Sequence, residues 1–137
     1  MSGSAKALLD TDTLSFLQRG HPAVVRIAST YLGDHGRFTI SQVTRYEIVR
    51  GLLASNASSQ LALFENACAR MEILPLSWSE FELAAQLWAT LNAKGQLIKD
   101  ADLLIGATAL NHGLALVTHN TSHFARIPGL NLEDWVR

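Results

Sequence analysis

Short apolar runs alternate with helix-period stretches along the whole chain, and this alternation restricts the available folds more than any single residue does. Ala7-Leu8-Leu9 ahead of Asp10, Phe38 and Ile40 within 37–41, Ile73-Leu74 within 72–76, and 114–117 read as short buried strands. Pro75 confines the third of these to an edge or a strand end. Between them lie amphipathic helices carrying Leu14, Phe16 and Leu17, then Val24, Ile27, Ala28 and Tyr31, then a stripe of Val43, Tyr46, Val49 and Leu53, then Leu61 and Phe64. Ser77 and Glu80 have capping-box spacing and open a long helix through Leu83, Leu87 and Leu91, on which Trp78 and Trp88 read as core or interface anchors. Asp102 stands where a further apolar helix starts, and Gly113 fits the left-handed residue that ends it. A polar loop over 118–124 and a last short strand near Leu132 close the chain. Strand and helix in alternation imply parallel strands joined by right-handed crossovers. The expected class is therefore α/β, a three-layer α/β/α sandwich around a mostly parallel sheet of four or five strands.

At 137 residues the chain is the size of one domain. Its 48% hydrophobic and 17% charged residues mark a folding chain rather than a disordered one. No apolar run approaches a membrane span and the first residues carry no export signal, so no membrane association is expected. Cys68 is the only cysteine, which excludes an internal disulfide and a thiolate zinc cluster and fits a cytoplasmic location. A net charge of -1 supplies no global field for a polyanion, so any attraction for nucleic acid must be local.

In an open α/β sheet, ligands bind at the carboxyl edge of the strands. Asp10 ends the first strand, Glu47 lies near the start of the helix after the second, Asp102 opens the helix before the fourth, and Asn120 follows the fourth. A parallel sheet brings all four to one edge. Each has a plainer explanation taken alone: an aspartate caps a helix, and Glu47 pairs with Arg50 one turn on. Together they make a pocket of hard oxygen donors without cysteine, which suits Mg²⁺ or Mn²⁺ better than zinc. No histidine is assigned to the metal.

In these stretches the sequence resembles the PIN-domain ribonucleases, and among them the VapC toxins of toxin–antitoxin systems. The resemblance runs from Leu8-Leu9-Asp10-Thr11-Asp12 through Thr44-Arg45-Tyr46-Glu47-Ile48-Val49-Arg50-Gly51 and Asp102-Leu103-Leu104-Ile105-Gly106-Ala107 to Val117-Thr118-His119-Asn120-Thr121 and the tail around Trp135. It implies one PIN-like nuclease domain over 1–137 and Mg²⁺-dependent hydrolysis of RNA phosphodiesters, with Mn²⁺ as the other candidate ion. The catalytic residues it implies are Asp10, Glu47, Asp102 and Asn120. Asp10 and Asp102 would hold the ion directly and Glu47 through water. Asp12, which departs from the family's usual asparagine, Asp100, Thr11 and Thr118 would support them, and Arg45 and Arg50 would contact RNA phosphates. The resemblance also implies a homodimer and a small VapB-like antitoxin, with exposed apolar residues on the helices between Leu52 and Phe64 as contacts.

Two other readings compete. Leu8-Leu9-Asp10-Thr11-Asp12-Thr13 is similar to the nucleophile motif of haloacid-dehalogenase-type phosphatases, with Asp10 as nucleophile, but Lys99 adjoins the acidic pair too closely for that family's spacing. A receiver-like or non-catalytic PIN-like binding domain is the other. No aspartate follows 73–76 to serve as a phosphoacceptor, and three acidic positions are retained.

Overall fold

The computed structural model describes residues 4–137. Five strands, β1 (Ala7–Leu9), β2 (Thr39–Ser41), β3 (Glu72–Leu74), β4 (Ala115–Val117) and β5 (Leu132–Glu133), form one sheet in the order β3-β2-β1-β4-β5. Every pairing is parallel. The helices are α1 (Thr11–Gln18), α2 (Pro22–His35), α3 (Gln42–Ala54), α4 (Ser58–Cys68), α5 (Trp78–Ala93), α6 (Asp100–Asn111) and α7 (Thr121–Phe124).

The strands' side-chain alternation sorts the helices into two layers. Ala7 and Leu9 of β1 point into a core with Leu14, Val24, Ala28, Tyr31, Phe64 and Cys68, contributed by α1, α2 and α4. Leu8 between them, with Leu116 of β4, points to the opposite face, where α5 and α6 supply Leu87, Leu91, Leu103, Ile105 and Ala107. Helix α3 joins both, through Ile48 on one side and Val43 on the other. The result is the expected α/β/α sandwich with five strands. Because β1 and β4 are covered on both faces, they read as unbroken apolar runs, whereas β2, equally buried, carries Thr39 and Ser41 on either side of Ile40.

Local chemistry sets the element ends. Asp10 and Ser41 leave their strands in extended conformation and cap the following helices, accepting from Thr13 N at 2.8 Å and Val43 N at 3.0 Å. The Ser77–Glu80 capping box forms, and Gly113 takes the left-handed φ of 65° that ends α6. β3 is an edge strand, as Pro75 requires.

Four expectations need correction. The buried face of α3 is Val43, Thr44 and Ile48, so Tyr46 and Leu53 of the expected stripe are exposed. The apolar count misled here because Thr44 takes a core position. Helix α6 begins at Asp100, which places Asp102 in its first turn instead of at its opening. The polar loop after β4 winds into the single turn of α7, which buries Phe124. Trp78 and Trp88 lie exposed on α5, so neither is a core anchor.

Candidate functional site

β1 and β4 lie side by side, and their carboxyl ends are tied together: Asp10 N and the Thr13 hydroxyl both donate to Val117 O, at 3.0 and 3.1 Å. The same edge receives the start of α3, which follows β2, and the start of α6, which runs back against the sheet before β4. These termini enclose a cleft of about 70 Å³ lined by Asp10, Thr11, Asp12, Glu47, Lys99, Asp102, Asn120 and Phe124. Larger grooves lie elsewhere, among them two mainly apolar ones of about 420 and 600 Å³. The small cleft is the one with chemistry in it.

Asp10 is 4% exposed. Burial pushes its carboxyl above the ordinary value of 3.8, against hydrogen bonds from Thr118 and Thr13 that favour the anion. The Asp102 carboxyl is raised as well, first by burial and further by the negative charges of Glu47 and Asp12, while Lys99 and His123 oppose the shift. Two carboxylates held this way in one cleft are poised for a positive charge.

Glu47 is fixed from both sides. Its Oε1 accepts from the Thr11 hydroxyl at 2.7 Å, and Thr44 Oγ1 lies 3.1 Å from the same hydroxyl. Its Oε2 faces Arg50 Nη2 at 3.6 Å, and the Arg50 guanidinium lies over the Tyr46 ring at 5.1 Å. Thr118 is fully buried and accepts from Asn120 N at 2.9 Å, and the Asn120 side-chain amide pairs with His123 Nδ1 at 2.9 Å. Among the described residues, no three acidic or imidazole groups are already drawn round one point as a metal cage. The donors are nonetheless all oxygen, and the two raised carboxyls are what a hard cation would relieve. The residues fit such an ion, provided that side chains at the cleft turn inward on binding it.

Asp10, Thr11, Asp12, Glu47, Asp102 and Asn120 thus come together in one cleft, with Thr118 directly behind it. Asp100 is exposed and is not among the lining residues. Arg45 is committed to Glu65 of α4, its Nη2 donating to both carboxylate oxygens at 2.9 Å. His112 sits at the opposite end of α6, beside Glu80, and His119 faces Asp134 at 3.1 Å. Sequence reasoning missed Lys99, Thr44, His123 and Phe124. The one available signal was the adjacency of Lys99 to the acidic pair.

Fold and cleft together define a PIN domain: the chain belongs to the PIN domain family, whose model matches residues 7–130. Its relatives within that family are VapC proteins. The tRNA(fMet)-specific endonuclease VapC of Salmonella typhimurium is 33% identical over 131 residues, covering 95% of this chain and 98% of that protein. Ribonuclease VapC1 of Haemophilus influenzae is 29% identical over 132 residues, covering 95% and 98%. Among solved structures, DNA-bound VapBC from Salmonella typhimurium matches with a TM-score of 0.86 at 32% identity, covering 96% of this chain and 99% of that one. VapBC2 from Rickettsia felis, bound to a promoter DNA fragment, matches with a TM-score of 0.83 at 28% identity, covering 94% and 98%. A family match of this extent does not favour the phosphatase or receiver-like readings.

Proposed function

We propose that this chain is a divalent-metal-dependent endoribonuclease and the toxin of a VapBC-type toxin–antitoxin pair. The observation that carries the reading is the cleft itself: Asp10, Glu47 and Asp102, from three elements far apart in sequence, line one small pocket at the carboxyl edge of a parallel sheet. Homology to VapC ribonucleases supports the choice of RNA as substrate.

Asp10 and Asp102 would hold Mg²⁺ or Mn²⁺, with Glu47 reaching it through water. When bound, the ion supplies charge stabilisation at the phosphoryl oxygens and lowers the pKa of a bound water. The chain's own residues do the positioning. Thr13 N and Thr118 fix the Asp10 carboxylate, and the Thr11 hydroxyl aims Glu47, which orients the attacking water and accepts its proton. Asn120, held by Thr118 and His123, offers a neutral amide to a water or hydroxyl at the cleft wall. Asp12 and Asp100 add negative charge near the ion's approach. Arg50 contacts an RNA phosphate beside Glu47, and Arg45 does so only by leaving Glu65.

Two further surfaces fit the partners of such a toxin. The groove of about 420 Å³ between α1, α3 and α4, lined by Leu52, Leu63, Phe64 and Arg19, is apolar enough for a segment of a VapB-like antitoxin. The exposed Trp78, Phe81 and Trp88 of α5, beside the groove of about 600 Å³ at Tyr46 and Leu76, offer a second copy of the chain a contact face and support a homodimer.

Expression of wild type beside Asp10→Asn and Asp102→Asn tests the reading, with cell growth, total RNA and in vitro cleavage as readouts. Wild type should arrest growth and cut RNA with Mg²⁺ but not with a chelator. Each folded variant should lose on the order of 100-fold or more, the scale of removing a group that stabilises transition-state charge. Undiminished cleavage by both variants would overturn the assignment.

A further inference from the structure

Lys99 is the one basic residue among those lining the cleft. It is the N-cap residue of α6, with extended backbone (φ -61°, ψ 149°), three positions before Asp102. It is solvent-exposed, and none of the ion pairs among the described residues engages it. Its charge is nonetheless felt at the site, since it is the strongest influence favouring the Asp102 anion. The other nearby cations are in use: Arg45 is paired with Glu65, and Arg50 lies against Glu47 and Tyr46.

A pocket walled by four carboxylates repels a polyanion until its charge is offset. An ammonium on a long flexible stem at the rim can do two things in turn. With the cleft empty its charge, at the rim, favours the Asp102 anion and lessens the repulsion among the acids. Once a divalent ion takes over that task, the ammonium is repelled outward, where the strand's phosphates pass. We propose that Lys99 is a substrate-positioning residue that exchanges its partner on loading, leaving the acids for a phosphate of the RNA strand next to the cleft. This rests on the nuclease reading above and adds to it a second grip, from the start of α6, beside that of Arg50 on α3.

The opposed effects on its two partners make the idea testable. Lys99→Met keeps the stem and removes the charge, and Lys99→Arg keeps the charge. A 20-nucleotide single-stranded RNA of mixed sequence is titrated at several salt concentrations with Ca²⁺ present, intact strand being checked on a gel, and Mn²⁺ is titrated separately without RNA. One lost phosphate contact flattens the slope of log affinity against log salt by about 0.7, which corresponds to about fivefold weaker binding at 0.1 M salt. The expected result for Lys99→Met is that loss, a raised KM with kcat little changed, and Mn²⁺ binding as tight as wild type or tighter. Lys99→Arg should restore RNA binding. Unchanged RNA affinity and salt slope in Lys99→Met would overturn the proposal while leaving the nuclease reading intact. Loss of RNA and Mn²⁺ binding together would also overturn it, because a merely structural residue fails in that way. A wild-type chain that binds neither probe would remove the nuclease reading and this inference with it.

Discussion

Asp10 does two tasks that compete. As the cap of α1 it accepts from Thr13 N, and as a buried carboxylate it carries a charge that burial disfavours. Raised carboxyl pKa values have a definite sign in the pH dependence of folding. The folded state holds these protons more tightly than the unfolded chain does, so the contribution of Asp10 and Asp102 is fully favourable below the ordinary 3.8 and is lost as pH rises through the raised folded values. Near neutral pH, without divalent ions, both charges strain the fold. Asn caps a helix about as well as Asp. Asp10→Asn and Asp102→Asn should therefore melt at or above the wild-type temperature at pH 7 in a chelator, with the advantage vanishing in acid. Adding Mg²⁺ should raise the melting temperature of wild type more than that of either variant. Calorimetry at pH 4 and pH 7, with and without the ion, checks all three statements. The acids themselves were legible in the sequence because each sits at a strand or helix terminus that a parallel sheet must bring to one edge. Their tethers were not. That Thr11 holds Glu47 across 36 positions, or that His123 pairs with Asn120, depends on rotamers no spacing rule reports.

Among the elements, β1 shows how a three-residue strand survives at the centre of a sheet. Leu8 and Leu9 pair with β2, but β2 offers no partner to Ala7. The Tyr31 hydroxyl from α2 stands in, accepting from Ala7 N at 3.1 Å and donating to Ala7 O at 3.2 Å. Both residues are buried, so no water can substitute. Tyr31→Phe should cost about 1–3 kcal/mol, the penalty of leaving buried backbone groups unpaired, read as a lower urea midpoint with an unchanged m-value. The strands, their order along the chain and most helix starts could be read from apolar runs and caps. The sequence misled where polarity and burial part company. Thr44 is fully buried while Tyr46 and Leu53, two residues of the same apolar stripe, face outward, because α3 packs between both layers and exposes a third side. α7 was invisible because four residues cannot show a period.

At the scale of the whole molecule, the cleft and the proposed antitoxin groove are separate surfaces that share α1 and α3. The cleft uses Thr11 and Glu47, and the groove uses Ser15, Gln18 and Leu52 of the same two helices, with Arg19 just past the end of α1. Leu63 projects into the groove from α4 and is 69% exposed, so replacing it disturbs little of the core. Leu63→Glu should leave RNA cleavage within about twofold of wild type, as expected of a surface change away from the site. It should also weaken capture of a co-expressed antitoxin enough that growth arrest returns in its presence. Co-purification and a growth assay measure the two halves. Equal rescue of wild type and variant would move the antitoxin contact off this groove.

Helix α6 is packed along most of its length: Leu103, Ile105, Gly106, Ala107, Thr108 and Ala109 are all buried, while Ala101 and Leu104 are half-buried beside the groove of about 600 Å³. A Cβ at Gly106 would come to 2.5 Å of Ile127 Cδ1, so even the smallest added group forces that buried side chain to shift. Asp102 rides at the leading end. A larger residue at Gly106, about one turn behind Asp102, would press on the helix that carries that carboxylate, and the tolerance of the chemistry to sequence drift is set as much by the room around α6 as by the acids themselves.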